Sequence, residues 1–137
     1  MNNKKNILEI AQNSILSQSK SIAKLTDFLD DNFINATESI YNCKGRLVVT
    51  GIGKSAIIAQ KIVATMNSTG TPSLFLHASE AIHGDLGMVQ ADDIIICISK
   101  SGNSPEIKVL VPLLKRFGNT LIGMTADLNS FLGKESH

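Results

Sequence analysis

Three short stretches concentrate the residues that could do chemistry: "TGIGKS" at 50–55, "HASEAIHGD" at 77–85 and "SKSGNSPE" at 99–106. The last supplies Ser99, Ser101 and Ser104 around Gly102, directly before Pro105. Hydroxyls gathered with backbone amides at a helix start suit the oxygens of a phosphate ester. The first stretch offers Gly51 and Gly53, which permit a tight turn, then Lys54 as a positive charge and Ser55 as a hydroxyl donor at a second helix start. Ser104 reads as an N-cap and Pro105 as a first helical position, and all three loop serines could do no more than cap a helix or end a strand. Their joint placement opposite Ser55 favours a shared phosphate pocket. Glu106, one residue further on, is either an ordinary first-turn acid held by the helix dipole or, about one turn from the phosphate, a base for proton transfer.

The middle stretch holds His77, Glu80, His83 and Asp85. Its spacing is loose for a metal site, and a hydrogen-bonded polar turn accounts for it as well, so no metal is expected; His83 is the ligand a metal would use. A histidine near carboxylates also titrates near neutral pH, and His83, between Ile82 and Gly84, is the better acid-base candidate of the two histidines. "GIGKS" is not a P-loop, because that motif needs glycine where Val48 stands. Gly51, Gly53 and Ala56 do fit the loose dinucleotide pattern, but the acidic residue expected about 20 positions onward is missing.

These stretches need a scaffold, and the pattern around them supplies one. From about Asn6 to Tyr41 the apolar residues Ile7, Ala11, Ile15, Ile22, Leu25 and Leu29 recur at helical spacing, broken near Asp30, Asp31 and Asn32. This segment reads as one or two amphipathic helices whose stripe packs on the domain's own core or on a second subunit. After Lys44 and Gly45 the chain alternates strand and helix: "RLVVT" then "KSAIIAQKIVATMNS", "SLFLH" then "ASEAIHGDLGMV", "DIIICIS" then "SPEIKVLVPLLKRFG", and "TLIGMT" before a short tail. Strands that are apolar throughout, alternating with helices, predict an α/β fold with a three-layer, doubly wound parallel sheet. Ligands of such sheets bind beyond the carboxyl ends of the strands, where all three loaded stretches fall.

Composition narrows the partners. Thirteen basic and twelve acidic residues leave a net charge of +1, so no broad field attracts nucleic acid or an anionic membrane. No window approaches the roughly 18 apolar residues of a membrane span, and the amino terminus lacks a signal pattern, which predicts a cytoplasmic protein. Cys43 and Cys97 match no metal or disulfide spacing and read as reduced and structural.

Together, "GIGKSAIIAQKIVATMNSTGTPSLFLHASEAIHGDLGMV" and "DIIICISKSGNSPEI" resemble the sugar isomerase (SIS) domain, most closely that of the D-arabinose 5-phosphate isomerases that feed Kdo and lipopolysaccharide synthesis. The resemblance runs over residues 45 to about 130, which sets an amino-terminal helical segment at 1–44 and the phosphosugar-binding domain at 45–137. It implies phosphate binding by Gly53, Ser55, Ser99, Ser101, Gly102 and Ser104, and catalysis by Lys54, His83 and Glu106. The implied reaction interconverts D-ribulose 5-phosphate and D-arabinose 5-phosphate without an organic cofactor. Family members continue through a further strand, a "KEACP"-like glutamate and an "SHPGG"-like histidine, so the resemblance implies a domain incomplete at its carboxyl end. It also implies a homodimer or homotetramer. A non-catalytic SIS sensor of phosphosugars or sugar nucleotides and a dinucleotide-binding domain are the alternatives.

Overall fold

The computed structural model describes residues 2–137, with side chains from residue 4 onward apart from residue 5, and the chain divides into two compact units between Thr37 and Glu38. In the first unit, α1 (Asn2–Ala23) runs into a 3-10 helix (Lys24–Phe28), and α2 (Asp31–Tyr41) begins after a two-residue break. The acidic cluster makes that break as expected: Asp30 Oδ1 accepts the Phe33 amide at 3.1 Å, so the carboxylate serves a helix start instead of a helix interior. Ile7, Ile15, Ile22, Leu25 and Leu29 are all between 58% and 67% exposed.

The second unit carries four parallel strands, β1 (Leu47–Gly51), β2 (Ser73–His77), β3 (Ile94–Ile98) and β4 (Thr120–Met124), in the order β2-β1-β3-β4. Between them lie α3 (Lys54–Ser68), α4 (Ala78–His83) with a 3-10 turn (Asp85–Met88), and α5 (Pro105–Arg116). Alternation along each strand sorts the side chains onto two faces. Leu47, Val49, Ile96 and Ile98 pack with Ala59, Ile62, Val63 and Met66 of α3, and Ile40 from the end of α2 joins them. Val48, Leu76, Ile95, Cys97 and Leu121 pack with α4 and with Ile107, Leu110, Val111 and Leu114 of α5. Both faces are covered, which is why the strands read as apolar throughout and why the three-layer α/β expectation holds.

The expected short tail contains one more element. α6 (Phe131–Glu135) is capped by Ser130, whose Oγ accepts the Gly133 amide at 3.2 Å, and its Leu132 is fully buried beside α5. At the amino ends of the strands, Arg46 and the fully buried Asp93 carboxylate form an ion pair of 2.7 Å. Asn119, before β4, donates to the carbonyls of Gln90 and Asp93 at 2.8 Å each.

Candidate functional site

The strand register brings the three loaded stretches to one edge. Gly51 pairs with His77 on one side and with Ile98 on the other, so β1, β2 and β3 end level, neighbours about 4.8 Å apart. The chain leaves β1 for α3 on one face and β3 for α5 on the opposite face, and the order β2-β1-β3-β4 puts the reversal of direction between these two strands. That is the switch point at which open α/β sheets form a crevice.

On the β1 side, Gly53 has φ 57°, a conformation that glycine adopts without strain, and it caps α3. A Cβ on Gly51 would lie 3.1 Å from the Ile98 carbonyl oxygen and 3.2 Å from Ser55 Cβ, so its absence lets α3 start close against the sheet. Lys54 is the first residue of α3 and exposed; Ser55 is half-buried behind it. A cation at a helix amino terminus opposes the dipole, a local cost that an anion beside it would offset. The amides of Ser55 and Ala56 close on the carbonyls of Ile52 and Gly53 at 3.2 and 3.1 Å, so it is the Ser55 hydroxyl that remains to face a ligand.

On the β3 side the four loop residues differ sharply. Ser99 is buried and its Oγ accepts the Gly102 amide at 3.2 Å, whereas Ser101 is exposed and its Oγ accepts the Asn103 amide at 3.3 Å. Gly102 has φ 62°, and a Cβ there would collide with Ser130 Oγ and lie 2.6 Å from Ser130 Cβ. Ser104 occupies the N-cap position expected of it, before Pro105, but its side chain makes no capping bond. Its Oγ is buried without a partner. Glu106 is half-buried in the first turn of α5, and neither ion pair among the described residues involves it, Lys54 or His83.

His83 is exposed at the end of α4, before Gly84 at φ 141°. His77 is half-buried at the end of β2, its ring edge-on to Phe75 at 6.2 Å, with Nδ1 buried and unpartnered. No three His, Cys, Asp or Glu side chains converge as a metal site among the described residues. Cys97 lies within the sheet, where burial pushes its thiol up to about 12, and so remains a small core residue.

Four buried side-chain atoms among the described residues lack a hydrogen-bond partner: Thr50 Oγ1, His77 Nδ1, Ser104 Oγ and Asn119 Oδ1. The first three sit at the carboxyl edge, on β1, at the end of β2 and at the start of α5. Buried polar atoms are nearly always bonded, so this clustering makes the edge the candidate place for a polar ligand. Sequence reasoning passed over Thr50, which looks like any strand threonine. Surface hollows of about 270 Å³ at Leu113, Arg116 and Phe117 and about 190 Å³ at Lys61, Ile62, Thr65 and Met66 lie on helices, away from this edge.

The family model for the SIS domain matches residues 39–137. The chain belongs to the SIS domain family. Among curated relatives it is similar to the arabinose 5-phosphate isomerase of Pseudomonas aeruginosa, 46% identical over 90% of this chain, and to that of Shigella flexneri, 49% identical over 82%. It spans 38% and 34% of the lengths of those two relatives. Among solved structures this SIS domain is similar to an Escherichia coli CFT073 protein in complex with arabinose 5-phosphate, with a TM-score of 0.91 and 41% identity, covering 99% of this chain and 72% of that one. The β1–α3 and β3–α5 loops both lie within the matched region.

Proposed function

We propose that the protein is an aldose-ketose isomerase that interconverts D-arabinose 5-phosphate and D-ribulose 5-phosphate, supplying the aldose phosphate for Kdo and lipopolysaccharide synthesis in the cytoplasm. The observation that carries the reading is the relative of the same fold bound to arabinose 5-phosphate, at 41% identity over 99% of this chain. The clustering of unpartnered polar atoms at the carboxyl edge supports the same site.

In this reading Ser55, Ser99, Ser101 and Ser104, with Gly53 and Gly102 shaping their turns, hold the phosphate between the starts of α3 and α5. The Glu106 carboxylate takes the proton from carbon 2 of the open-chain aldose. The electron pair forms the C1–C2 double bond of an enediol as the carbonyl oxygen gains a proton, with Lys54 stabilising the charge that develops on it. Returning a proton to carbon 1, with loss of the proton on the carbon 2 hydroxyl, gives the ketose. His83 opens the sugar ring or relays a proton. The whole chain of events conserves oxidation state across the molecule and needs no redox cofactor. The exposed apolar stripe of α1 supports assembly as a homodimer or homotetramer.

Proton NMR of the protein with D-arabinose 5-phosphate in deuterated water tests the reading. Expected is loss of the carbon 2 proton signal as ketose signals grow; a stable aldose spectrum with saturable binding would instead favour a phosphosugar sensor. Glu106→Gln is expected to slow turnover by at least about a hundredfold with KM within about threefold. Unchanged turnover in that variant takes Glu106 out of the chemistry.

A further inference from the structure

The serine loop between β3 and α5 is strapped from outside by the chain that follows β4. The amide of Ser99 donates to the carbonyl of Met124, the last residue of β4, at 3.0 Å, and beyond the strand the amide of Ala126 donates to Lys100 at 3.0 Å and that of Leu132 to Gly102 at 2.9 Å. Side chains join the two segments as well: Thr125 Oγ1 donates to the Lys100 carbonyl at 3.3 Å, and Asn103 reaches from the loop to Phe131. Asn103 Oδ1 accepts the Phe131 amide at 3.0 Å, while Asn103 Nδ2 donates to the Ser101 carbonyl at 3.0 Å. A carboxamide is the side chain that offers an acceptor and a donor on one short planar group. Ser130, packed against Gly102, fixes the other side of the same turn.

We infer that Asn103 is a positioning residue for the phosphate end of the substrate: it pins the turn carrying Ser101 and Ser104 to the amino end of α6, so the loop is shaped before the ligand arrives. The inference rests on the phosphosugar reading above. A glycine-containing loop that must be ordered by its ligand loses affinity to that ordering, and a loop ordered beforehand does not. Asn103 is itself exposed, so water would satisfy its amide if the strap were cut. Its two bonds therefore contribute little to global stability, which separates positioning from folding.

Phe131→Pro removes the amide that Asn103 holds, at the first position of α6, where proline is tolerated; Ser130 at φ −64° and ψ 166° already has the backbone a following proline requires. Phe131→Ala keeps the amide and is the control for the lost ring. In ligand-free protein, Asn103→Ala and Phe131→Pro are expected to speed hydrogen exchange at the Gly102 and Asn103 amides, with Phe131→Ala close to wild type. KM for D-arabinose 5-phosphate is expected to rise about fivefold in Asn103→Ala relative to wild type and in Phe131→Pro relative to Phe131→Ala, with kcat within about twofold. The Asn103→Ala/Phe131→Pro double variant should be no worse than Asn103→Ala/Phe131→Ala, because the bond that the proline removes is already lost. Unchanged exchange, additive losses, or faster exchange with unchanged KM would each overturn the positioning role. Wild-type protein that neither binds nor converts D-arabinose 5-phosphate sinks the phosphosugar reading instead, and exchange alone then decides whether the strap exists.

Discussion

The two ends of the parallel sheet are built on opposite principles. At the amino end, the Asp93 carboxylate accepts the Arg46 amide at 2.8 Å, Arg46 Nη2 at 2.7 Å and the Gln90 amide at 2.9 Å, while the same Nη2 reaches the Met88 carbonyl at 2.7 Å. Among the described residues, only Asn119 Oδ1 is left over there. At the carboxyl end, Thr50, His77 and Ser104 each bury a polar atom with no partner. Satisfied networks stabilise a fold and unsatisfied groups cost it free energy, so the amino edge contributes stability, and the carboxyl edge, in the proposed function, trades stability for binding.

The comparison is broken most forcefully at the amino edge. Asp93→Ala leaves Arg46 and two amides without their acceptor and is expected to cost about 3 kcal/mol in urea denaturation, while what remains folded keeps its affinity for D-arabinose 5-phosphate. Equal loss of affinity would show that the edges are not independent. The pH dependence has a definite sign. Burial pushes the Asp93 carboxyl up, but the Arg46 side chain and the amides of Gln90 and Arg46 outweigh that and hold it below the usual value. Its stabilisation is therefore complete above about pH 4, the unfolded value, and is lost as pH falls through the lowered folded one. The urea midpoint of the wild type should fall in that acid range more steeply than that of Asp93→Ala.

Much of this organisation is legible in the sequence, for definite reasons. "SLFLH" and "KSAIIAQKIVATMNS" coincide with β2 and α3 because a buried parallel strand and an amphipathic helix each carry a local periodic signal. Parallel strands with crossover helices then put all three loaded loops at one edge. α6 escaped notice, although Ser130 before Phe131 and Leu132 is a helix-start signal, because five residues give too short a period to read. The strap through Asn103 escaped for another reason: its partners are 28 residues apart, and such a contact exists only once the sheet has formed. The same holds for the orphaned atoms. That Ser104 occupies an N-cap position follows from "SPE", but that its hydroxyl caps nothing depends on the packed backbone.

Ser104 gives a smaller effect of opposite character to Asp93. Removing a buried hydroxyl that bonds to nothing should leave stability unchanged or raise it by up to about 1 kcal/mol, whereas the usual loss of an N-cap serine lowers it by about that much. Affinity for D-arabinose 5-phosphate, measured by titration calorimetry, is expected to fall about tenfold in Ser104→Ala. A stability loss without an affinity loss would make Ser104 an ordinary cap and weaken the distinction between the edges.

Thr50 sharpens the comparison at its finest grain. It is fully buried on β1 between Leu76 and Cys97 of the neighbouring strands, on the face that packs against α4 and α5, so Thr50→Val keeps the branched shape and strand preference and removes only the orphaned hydroxyl. Expected is a gain of about 1 kcal/mol in unfolding free energy. What happens to affinity then places the residue. A gain with unchanged affinity makes Thr50 part of the core, and its lone hydroxyl a defect the fold tolerates. A gain with weakened binding extends the site one residue down β1, beneath the loop that carries Lys54. Lost stability would mean that the hydroxyl is bonded in solution, leaving His77 and Ser104 to carry the contrast between the two edges.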